Sequence, residues 1–207
     1  MAFAQPDPRV LRAASQGDQR AFQTIVEAYR QPILRYVERF VRDPCLAEDI
    51  TQEVFLRAYQ HLPSFSDRCL FTTWLFQVTK NRIIDQLRAE KRRPQPELSL
   101  EALLPLEAHD NHGEHSETVG AIWQAVADLD QPLKMSLLLR DVAGLTYIEI
   151  AEALEADLGT VKWRIYKARE AVQQAVTHQG LELGYRHRRG EPKIAPAGAT
   201  ASMAAPS

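Results

Sequence analysis

Apolar residues recur every three or four positions through most of this 207-residue chain, and that spacing predicts helices rather than strands. The first long stripe begins after Asp18, a suitable N-cap, and meets Pro32, which would kink or break the helix. Two further helices are predicted over about 44–61 and 70–91, with a loop between them. No alternating segment typical of a strand appears, so the predicted fold class is all-α.

The composition changes sharply in the middle of the chain. Residues 97–117 contain six acidic residues and no Lys or Arg, which is typical of a flexible linker. We therefore expect two small helical domains joined by an acidic, flexible linker. The expected boundaries are 1–95 for the first domain, 96–117 for the linker and 118–178 for the second domain, with a disordered tail over 179–207.

The second domain carries the sequence signals of a helix-turn-helix. Pro132 stands in the first turn of one predicted helix, which Gly144 would end. Thr146 and Glu149 have the spacing of a capping box and would begin a short second helix. Asp157 can cap the helix that follows after a tight turn. In DNA-binding proteins with this plan, the last of these helices enters the major groove.

The last predicted helix has a basic outer face. Four Lys or Arg stand against one acid over 158–172, although the whole chain has a net charge of −2. Such cations neutralise phosphates and reach base edges. A solvated basic face, with Trp163 and Tyr166 packed on the rest of the domain, is the alternative. The capping box and the turn favour DNA, with Lys167 expected to read bases and Arg169 to hold a phosphate.

The helix predicted over 44–61 has an apolar side and a separate acidic, polar side. Asp49, Gln52 and Glu53 share the polar side, which suits a protein partner that carries basic side chains. A magnesium site built on Asp49 and Glu53 is the alternative, and it would need further carboxylates from elsewhere in the chain.

The helix predicted over 70–91 becomes strongly basic towards its end. Six Lys or Arg stand against two acids over 80–93. Phe65, Phe71 and Trp74 lie nearby, and cations combined with aromatic rings fit single-stranded DNA, whose bases stack or flip out. Core packing is the alternative for Phe71 and Trp74.

The cysteines, the histidines and the lengths of the apolar runs bear on the location of the protein and on its need for a metal. Cys45 and Cys69 are far apart and lack metal-site spacing, which fits a reducing cytosol. No apolar run approaches a membrane span and no signal peptide is apparent, so we expect a cytoplasmic location. His109, His112 and His115 could mimic a metal face, but they lack the helical stripe that would hold them. No metal or cofactor is expected.

Two longer stretches resemble regions of one protein family. "AEDITQEVFLRAYQHLPSF" (47–65) together with "FTTWLFQVTKNRIIDQLRAEKRR" (71–93) resembles the second region of bacterial sigma factors. "PLKMSLLLRDVAGLTYIEIAEALEADLGTVKWRIYKAREAV" (132–172) is similar to their fourth region. The pair, joined by a short linker with no third region, is similar to the extracytoplasmic-function (group 4) sigma factors.

The resemblance implies a two-domain, all-helical protein that binds core RNA polymerase, directs it to promoters and helps to melt them. The implied partners are the polymerase, through the clamp helices of its β′ subunit and through its β subunit, and promoter DNA. An anti-sigma factor is a further implied partner. The segment that matches the clamp-docking part of the family contains Asp49, Gln52, Glu53 and Phe55.

The resemblance also assigns two sets of DNA contacts. Trp163 departs from the small polar residue that is common at its position, so the promoter preference does not transfer. The residues that match the part recognising and opening the minus-ten element are Phe65, Phe71, Lys80, Asn81, Arg82, Asp85 and Arg88. The residues on or beside the helix that reads the minus-thirty-five element are Thr160, Lys162, Trp163, Arg164, Tyr166, Lys167 and Arg169.

Two other functions compete with this interpretation. A helix-turn-helix regulator that never joins polymerase would explain the second domain, but not the acidic side of 44–61 or the basic, aromatic helix over 70–91. A metal-dependent nuclease is the more distant alternative. The expectation is a protein without catalytic residues, and binding to core polymerase separates it from the regulator.

Overall fold

Residues 5–66, 68–92 and 117–181 are described by the computed structural model, and most of them are helical. No strand occurs within these ranges, and the predicted all-α class is confirmed. The first bundle consists of α1 (Pro8–Ser15), α2 (Gln19–Val37), α3 (Pro44–His61) and α4 (Phe71–Arg92), with a 3₁₀ turn at Leu62–Ser64. The second bundle consists of α5 (Glu117–Ala127), α6 (Gln131–Asp141), α7 (Tyr147–Leu154) and α8 (Leu158–His178).

Aspartate side chains begin three helices of the first bundle. As predicted, Asp18 accepts hydrogen bonds from two backbone N–H groups in the first turn of α2, at 2.8 and 3.1 Å. Asp7 and Asp43 cap α1 and α3 in the same way, at 2.7 and 2.9 Å. Periodicity does not predict α1, because eight residues are too few for an apolar stripe to stand out.

Helix α2 continues through Pro32 instead of breaking there. Proline removes one backbone donor and crowds the preceding turn, which is why a break was a reasonable expectation. The residues after it are buried in the first bundle, with Ile33 and Val37 wholly enclosed. Their packing holds the last turns of α2 in place and offsets the missing hydrogen bond.

Apolar side chains from α2, α3 and α4 form the core of the first bundle. Tyr36 of α2 is fully buried, and its ring meets Phe76 of α4 edge to face with 5.4 Å between the ring centroids. Ile50 of α3 and Leu75 of α4 are also fully enclosed. Each such side chain contributes roughly 1.5–3 kcal/mol by leaving water. The opposite side of α3 faces solvent, whereas part of α4 packs on α7.

Capping residues fix the helix-turn-helix of the second bundle as predicted. The Thr146 N–H donates to Glu149 Oε2 at 2.6 Å, and the Glu149 N–H donates to the Thr146 hydroxyl oxygen at 3.3 Å. Gly144 has a φ of +69° after the end of α6. Glu155, between α7 and α8, is the one non-glycine with positive φ, +52°, among the described residues. These turns direct α8 across α5, α6 and α7.

The two bundles contact each other along α4 and α7 and at the end of α2. Arg39, just after α2, lies over the ring of Trp123 of α5, with its guanidinium carbon 3.6 Å from the ring centroid. Lys134 of α6 lies over Phe40, with its Nζ 5.4 Å from the ring centroid. Each contact joins a cation of one bundle to an aromatic ring of the other.

Several sequence-based expectations fall outside the described residues. Residues 96–116 of the predicted linker, with its three histidines, lie outside the described residues. The part of the predicted tail beyond 181 lies outside them as well. Glu117, placed at the end of the linker by composition, is the first residue of α5. Within the parts that the structure describes, no helix is long and apolar enough to cross a membrane.

Candidate nucleic-acid and protein interface

Helix α8 is anchored by one apolar side and by its cap. Val161 and Ile165 are fully enclosed against the rest of the second bundle. Asp157 Oδ1 accepts the Thr160 N–H at 2.8 Å, and Oδ2 accepts the Thr160 hydroxyl. These bonds from Thr160 hold the pKa of Asp157 below its usual range. Asp157 thus caps the helix, and the hydroxyl of Thr160 in the first turn is bonded to the capping carboxylate.

The outer side of α8 combines cations with two exposed aromatic rings. Trp163 keeps 47% of its surface exposed and Tyr166 keeps 46%. These values argue against the alternative that both rings pack on the domain. Lys162 and Arg164 have no carboxylate within ion-pair distance in the described part of the chain. The side of α8 that faces away from the core therefore offers positive charge and planar surfaces to a ligand.

The two cations further along α8 are bonded within the bundle. Arg169 Nη2 lies 2.7 Å from Asp141 Oδ1, at the last residue of α6. Lys167 Nζ lies 2.7 Å from Glu170 Oε2 on the same helix, and this carboxylate raises the pKa of Lys167. Arg169 ties α8 to α6, whereas Lys167 stays on the outer side.

Helix α3 presents Asp49 and Gln52 to solvent, as the sequence pattern predicts. Phe55 was expected to contact a partner, but only 6% of its surface is exposed, because it follows Val54 into the core. In this conformation Phe55 therefore packs in the core, and its predicted contact with a partner stays a prediction. Leu56 is 56% exposed and follows Gln52 by one turn, so it is the apolar residue on this side. Its spacing from Gln52 could have identified it.

Glu53 connects α3 to α4 rather than extending freely. One of its carboxylate oxygens accepts the Nε–H of Arg82, and the other lies 3.8 Å from Arg57 Nη2. Arg57 also lies 3.6 Å from Asp85 Oδ2 on α4. These four side chains form a charge network between the two helices. Sequence reasoning placed Glu53 on the docking surface and Arg82 and Asp85 on the minus-ten surface.

The expected minus-ten residues on α4 are in different environments. Asn81, Asp85 and Arg88 are exposed, whereas Lys80 is only 7% exposed. Lys80 Nζ lies 3.2 Å from Oε1 of Glu155, which belongs to the second bundle. The structure thus brings a predicted DNA-binding lysine against the turn of the helix-turn-helix.

The aromatic residues near the start of α4 form a cluster at the edge of the core. Phe71 is 2% exposed and packs edge to face against Tyr29, with 5.6 Å between the ring centroids. Phe71 thus packs in the core in this conformation, as the alternative expected, and its predicted DNA contact stays a prediction. Phe65 and Trp74 are half-buried, with 5.2 Å between their ring centroids. The exposed edges of the Phe65 and Trp74 rings are the part of this cluster that is accessible to a base.

A magnesium site at Asp49 and Glu53 receives no support from the geometry. Within residues 5–66, 68–92 and 117–181, no group of three or more His, Cys, Asp or Glu is placed to hold a metal ion. Both oxygens of Glu53 already face guanidinium groups. The three histidines of the linker lie outside these ranges.

Two family models match the chain in the order of the two bundles. Sigma-70 region 2 matches residues 25–93, and Sigma-70, region 4 matches residues 120–172. The RNA polymerase sigma-H factor of Pseudomonas aeruginosa is 32% identical over 186 residues, which cover 85% of this chain and 96% of that protein. The ECF RNA polymerase sigma-E factor of Escherichia coli K12 is 31% identical over 181 residues, 82% of this chain and 94% of that protein.

Two solved structures share the fold. The structure of CnrH in complex with the cytosolic domain of CnrY covers 84% of this chain and 99% of its own, with 19% identity and a TM-score of 0.64. The sigma factor RpoE from Bartonella quintana, solved with the anti-sigma factor NepR, covers 75% and 96%, with 18% identity and a TM-score of 0.60.

Helical bundles that match these two regions, the second with an exposed basic recognition helix, define a transcription initiation factor. The chain belongs to the extracytoplasmic-function group of the sigma-70 family.

Proposed function

We propose that this chain binds core RNA polymerase through α3, directs it to promoters through α8, and contributes to melting through α4 and the preceding loop. The single observation that carries the proposal is the outer side of α8. It exposes Trp163 and Tyr166 among cations, within a capped helix-turn-helix. Backbone contacts by Lys or Arg would position the helix, and contacts to base edges would give specificity.

The polymerase-docking surface is assigned to Asp49, Gln52 and Leu56. All three are exposed and lie within two turns on one side of α3. An exposed leucine between polar residues is an anchor of the kind that fills a pocket on a partner, and Asp49 adds charge complementarity. Glu53 lies beside them and is bonded to Arg82. We therefore give Glu53 a supporting role in holding α3 against α4.

The minus-ten surface is assigned to the exposed edge of α4. Asn81 and Arg88 are exposed there, and Phe65 and Trp74 offer ring edges at the other end of the helix. Stacking of unpaired bases on such rings stabilises a melted strand by roughly 1–3 kcal/mol per base. Lys80 joins this surface when Glu155 is displaced.

Further parts of the proposal follow from the family. The chain acts in the cytoplasm with polymerase and has no catalytic role of its own, since the chemistry of transcription belongs to the polymerase. An anti-sigma factor is proposed as a regulatory partner, because a related fold was solved with the anti-sigma factor NepR. A helix-turn-helix regulator acting alone is not favoured, because it leaves the exposed side of α3 without a role.

The test is binding of the full chain to core polymerase after two changes on α3. Asp49→Lys and Leu56→Ser together should weaken binding by about a hundredfold, since like charges meet and an apolar anchor is lost. Promoter-dependent run-off transcription should fall in parallel. Glu27→Lys, on the exposed side of α2, is the charge-matched control and should bind normally. Undiminished binding of the double variant, with helix content retained, would show that this side of α3 is not the docking surface.

A further inference from the structure

Glu155 joins the two bundles through α4. It follows α7, in the turn before α8, with its backbone in the left-handed region at φ +52°. Its Oε1 accepts a hydrogen bond from Gln77 Nε2 at 2.7 Å and lies 3.2 Å from Lys80 Nζ. Gln77 and Lys80 are nearly one turn apart on α4. One carboxylate of the helix-turn-helix thus contacts two side chains of α4, and one of these, Lys80, belongs to the residues assigned to minus-ten DNA.

Lys80 is enclosed by this contact. Only 7% of its surface is exposed, although it carries a charge. An ammonium group removed from water is unstable unless an opposite charge or an acceptor replaces the lost water. Glu155 supplies that carboxylate from the other bundle. Lys80 is therefore unavailable to a DNA phosphate while the bundles stay in this arrangement.

The surroundings of the pair are strongly basic. A cleft of about 400 Å³ lies beside it, with Arg88 and Lys91 on the α4 wall and Arg164 of α8 on the other. Cations on both walls repel each other, and the interior of a cleft screens them less than open solvent does. Glu155 contacts Lys80, which also lines this cleft. Bonds from Gln77 and Lys80 hold its pKa below its usual range, which keeps it charged.

We propose that Glu155 is a latch that holds the free chain closed by taking the place of a promoter phosphate on Lys80. The proposal rests on the proposed function in one respect, the role of Lys80 in DNA binding. Promoter DNA and Glu155 compete for the same ammonium group, so the chain must open before α4 receives the minus-ten strand. Separation also frees α8 to reach its own element at a distance along the promoter.

The competition between Glu155 and DNA for Lys80 sets the apparent affinity of the free chain for DNA. Only open chains offer Lys80 to DNA, so the apparent affinity of the free chain is reduced in proportion to the open fraction. Weakening the latch raises that fraction. Glu155 is largely exposed, with 63% of its side-chain surface in solvent, so the latch is weak and reversible. A partner that binds the two bundles apart from each other would open it.

The experiment replaces Glu155 in the full chain. Glu155→Asn removes the charge and shortens the side chain, so that it no longer reaches α4. Asparagine adopts the left-handed conformation readily, so the turn is retained. Glu117→Gln is the matched control, because it removes one exposed negative charge from α5 of the same bundle. Acylation of Lys80 is measured by mass spectrometry, with Lys162 as the internal reference. Energy transfer between dyes at Cys45 and at Gln174→Cys, in a Cys69→Ser background, reports the distance between bundles.

The expected result is faster acylation of Lys80 and a longer distance for Glu155→Asn, and no change for Glu117→Gln. Affinity for a single-stranded oligonucleotide carrying the minus-ten element should rise about two- to fivefold. The exchange Lys80→Glu with Glu155→Lys should restore the short distance, since it reverses the pair. Unchanged acylation and distance in Glu155→Asn would overturn the latch.

A second outcome separates the latch from the proposed function. If Glu155→Asn opens the chain but binds the oligonucleotide no better than the control, competition with promoter DNA is overturned. Failure of the proposed function itself would look different. The chain with core polymerase would then not initiate at any promoter, whether or not Glu155 is replaced.

Discussion

Helices α4 and α8 are both rich in cations, but their cations have different neighbours. On α4, Arg82 is bonded to Glu53 of α3, and Lys80 contacts Glu155 of the second bundle. On α8, Lys162 and Arg164 have no such carboxylate within the described ranges, and only Arg169 is bonded to another helix. In this arrangement, the exposed side of α8 with Trp163 and Tyr166 is thus open to a ligand, while Lys80 of α4 is engaged.

The comparison shows that a basic residue has a role set by its neighbours rather than by its charge. A cation bonded to a carboxylate of another element stabilises the packing of that element. A cation on an outer side is available for phosphates or bases. We therefore expect substitutions on the two helices to separate into effects on folding and effects on DNA binding.

The largest expected effect is on α8. Lys167→Ala should weaken binding to the preferred minus-thirty-five element by about ten- to a hundredfold and relax its sequence preference, because Lys167 lies one turn from Trp163 on the outer side. Affinity for a scrambled element should change much less. Binding of the full chain with core polymerase to matched and scrambled promoters, over a range of salt, measures both.

Arg169→Ala provides the contrast on the same helix. Sequence reasoning expects a phosphate contact, but Arg169 is bonded to Asp141 at 2.7 Å. We now expect a loss of about 1 kcal/mol in the stability of the second bundle, with the salt dependence of binding unchanged. If Lys167→Ala lowers both affinities by the same factor, Lys167 holds a phosphate. A shallower salt slope for Arg169→Ala would restore its original role.

Local signals explain why most of the fold could be predicted. N-caps such as Asp18 and Asp157 and the capping box of Thr146 and Glu149 act within four residues, so sequence alone identifies them. The continuation of α2 through Pro32 could not be predicted, because it depends on contacts with distant helices. The family and the helix-turn-helix were predicted from motifs, and the comparisons confirm them.

Individual site residues were harder to predict, because burial and pairing depend on the other helices. Phe55 and Leu56 are adjacent and both apolar, yet the first is in the core and the second is exposed. Their positions on α3 decide this, and motif matching ignores it. The partner of Lys80 is 75 residues away in sequence, so no local pattern could reveal Glu155. The roles assigned to the site residues remain predictions.

The next prediction tests the network between α3 and α4. Glu53→Gln keeps the shape and one acceptor but removes the charge that Arg82 and Arg57 contact. Since Arg82 is 15% exposed at its side chain, we expect the free energy of unfolding to fall by about 1 kcal/mol in urea titrations. Asp49→Asn, one turn earlier and exposed, should change it by less than about 0.5 kcal/mol. Equal effects would mean that Glu53 is free to serve docking instead.

The last prediction concerns Lys134, a cation that belongs to neither class. It packs between the bundles over Phe40, and burial lowers its pKa from the ordinary 10.5 to about 8. Asp128 opposes this shift, whereas Arg39 and Arg42 add to it. Above pH 8 the folded chain loses this proton while the unfolded chain keeps it. The unfolded state then binds more protons, so this group adds stability as the pH rises from about 8 to 10.5.

The measurement compares wild type with Lys134→Met, a side chain of similar length without a charge. Between pH 7.5 and 9.5 the melting temperature of wild type should rise by about 2–4 °C relative to the variant. Lys162→Met, on the outer side of α8, is the control. The difference in melting temperature between this variant and wild type should not vary with pH. If the difference in melting temperature between wild type and Lys134→Met does not change with pH, Lys134 keeps its proton in the closed chain. The charged Lys134 over Phe40 would then stabilise the contact between the bundles, as the bonded cations of α4 stabilise the packing of their neighbours.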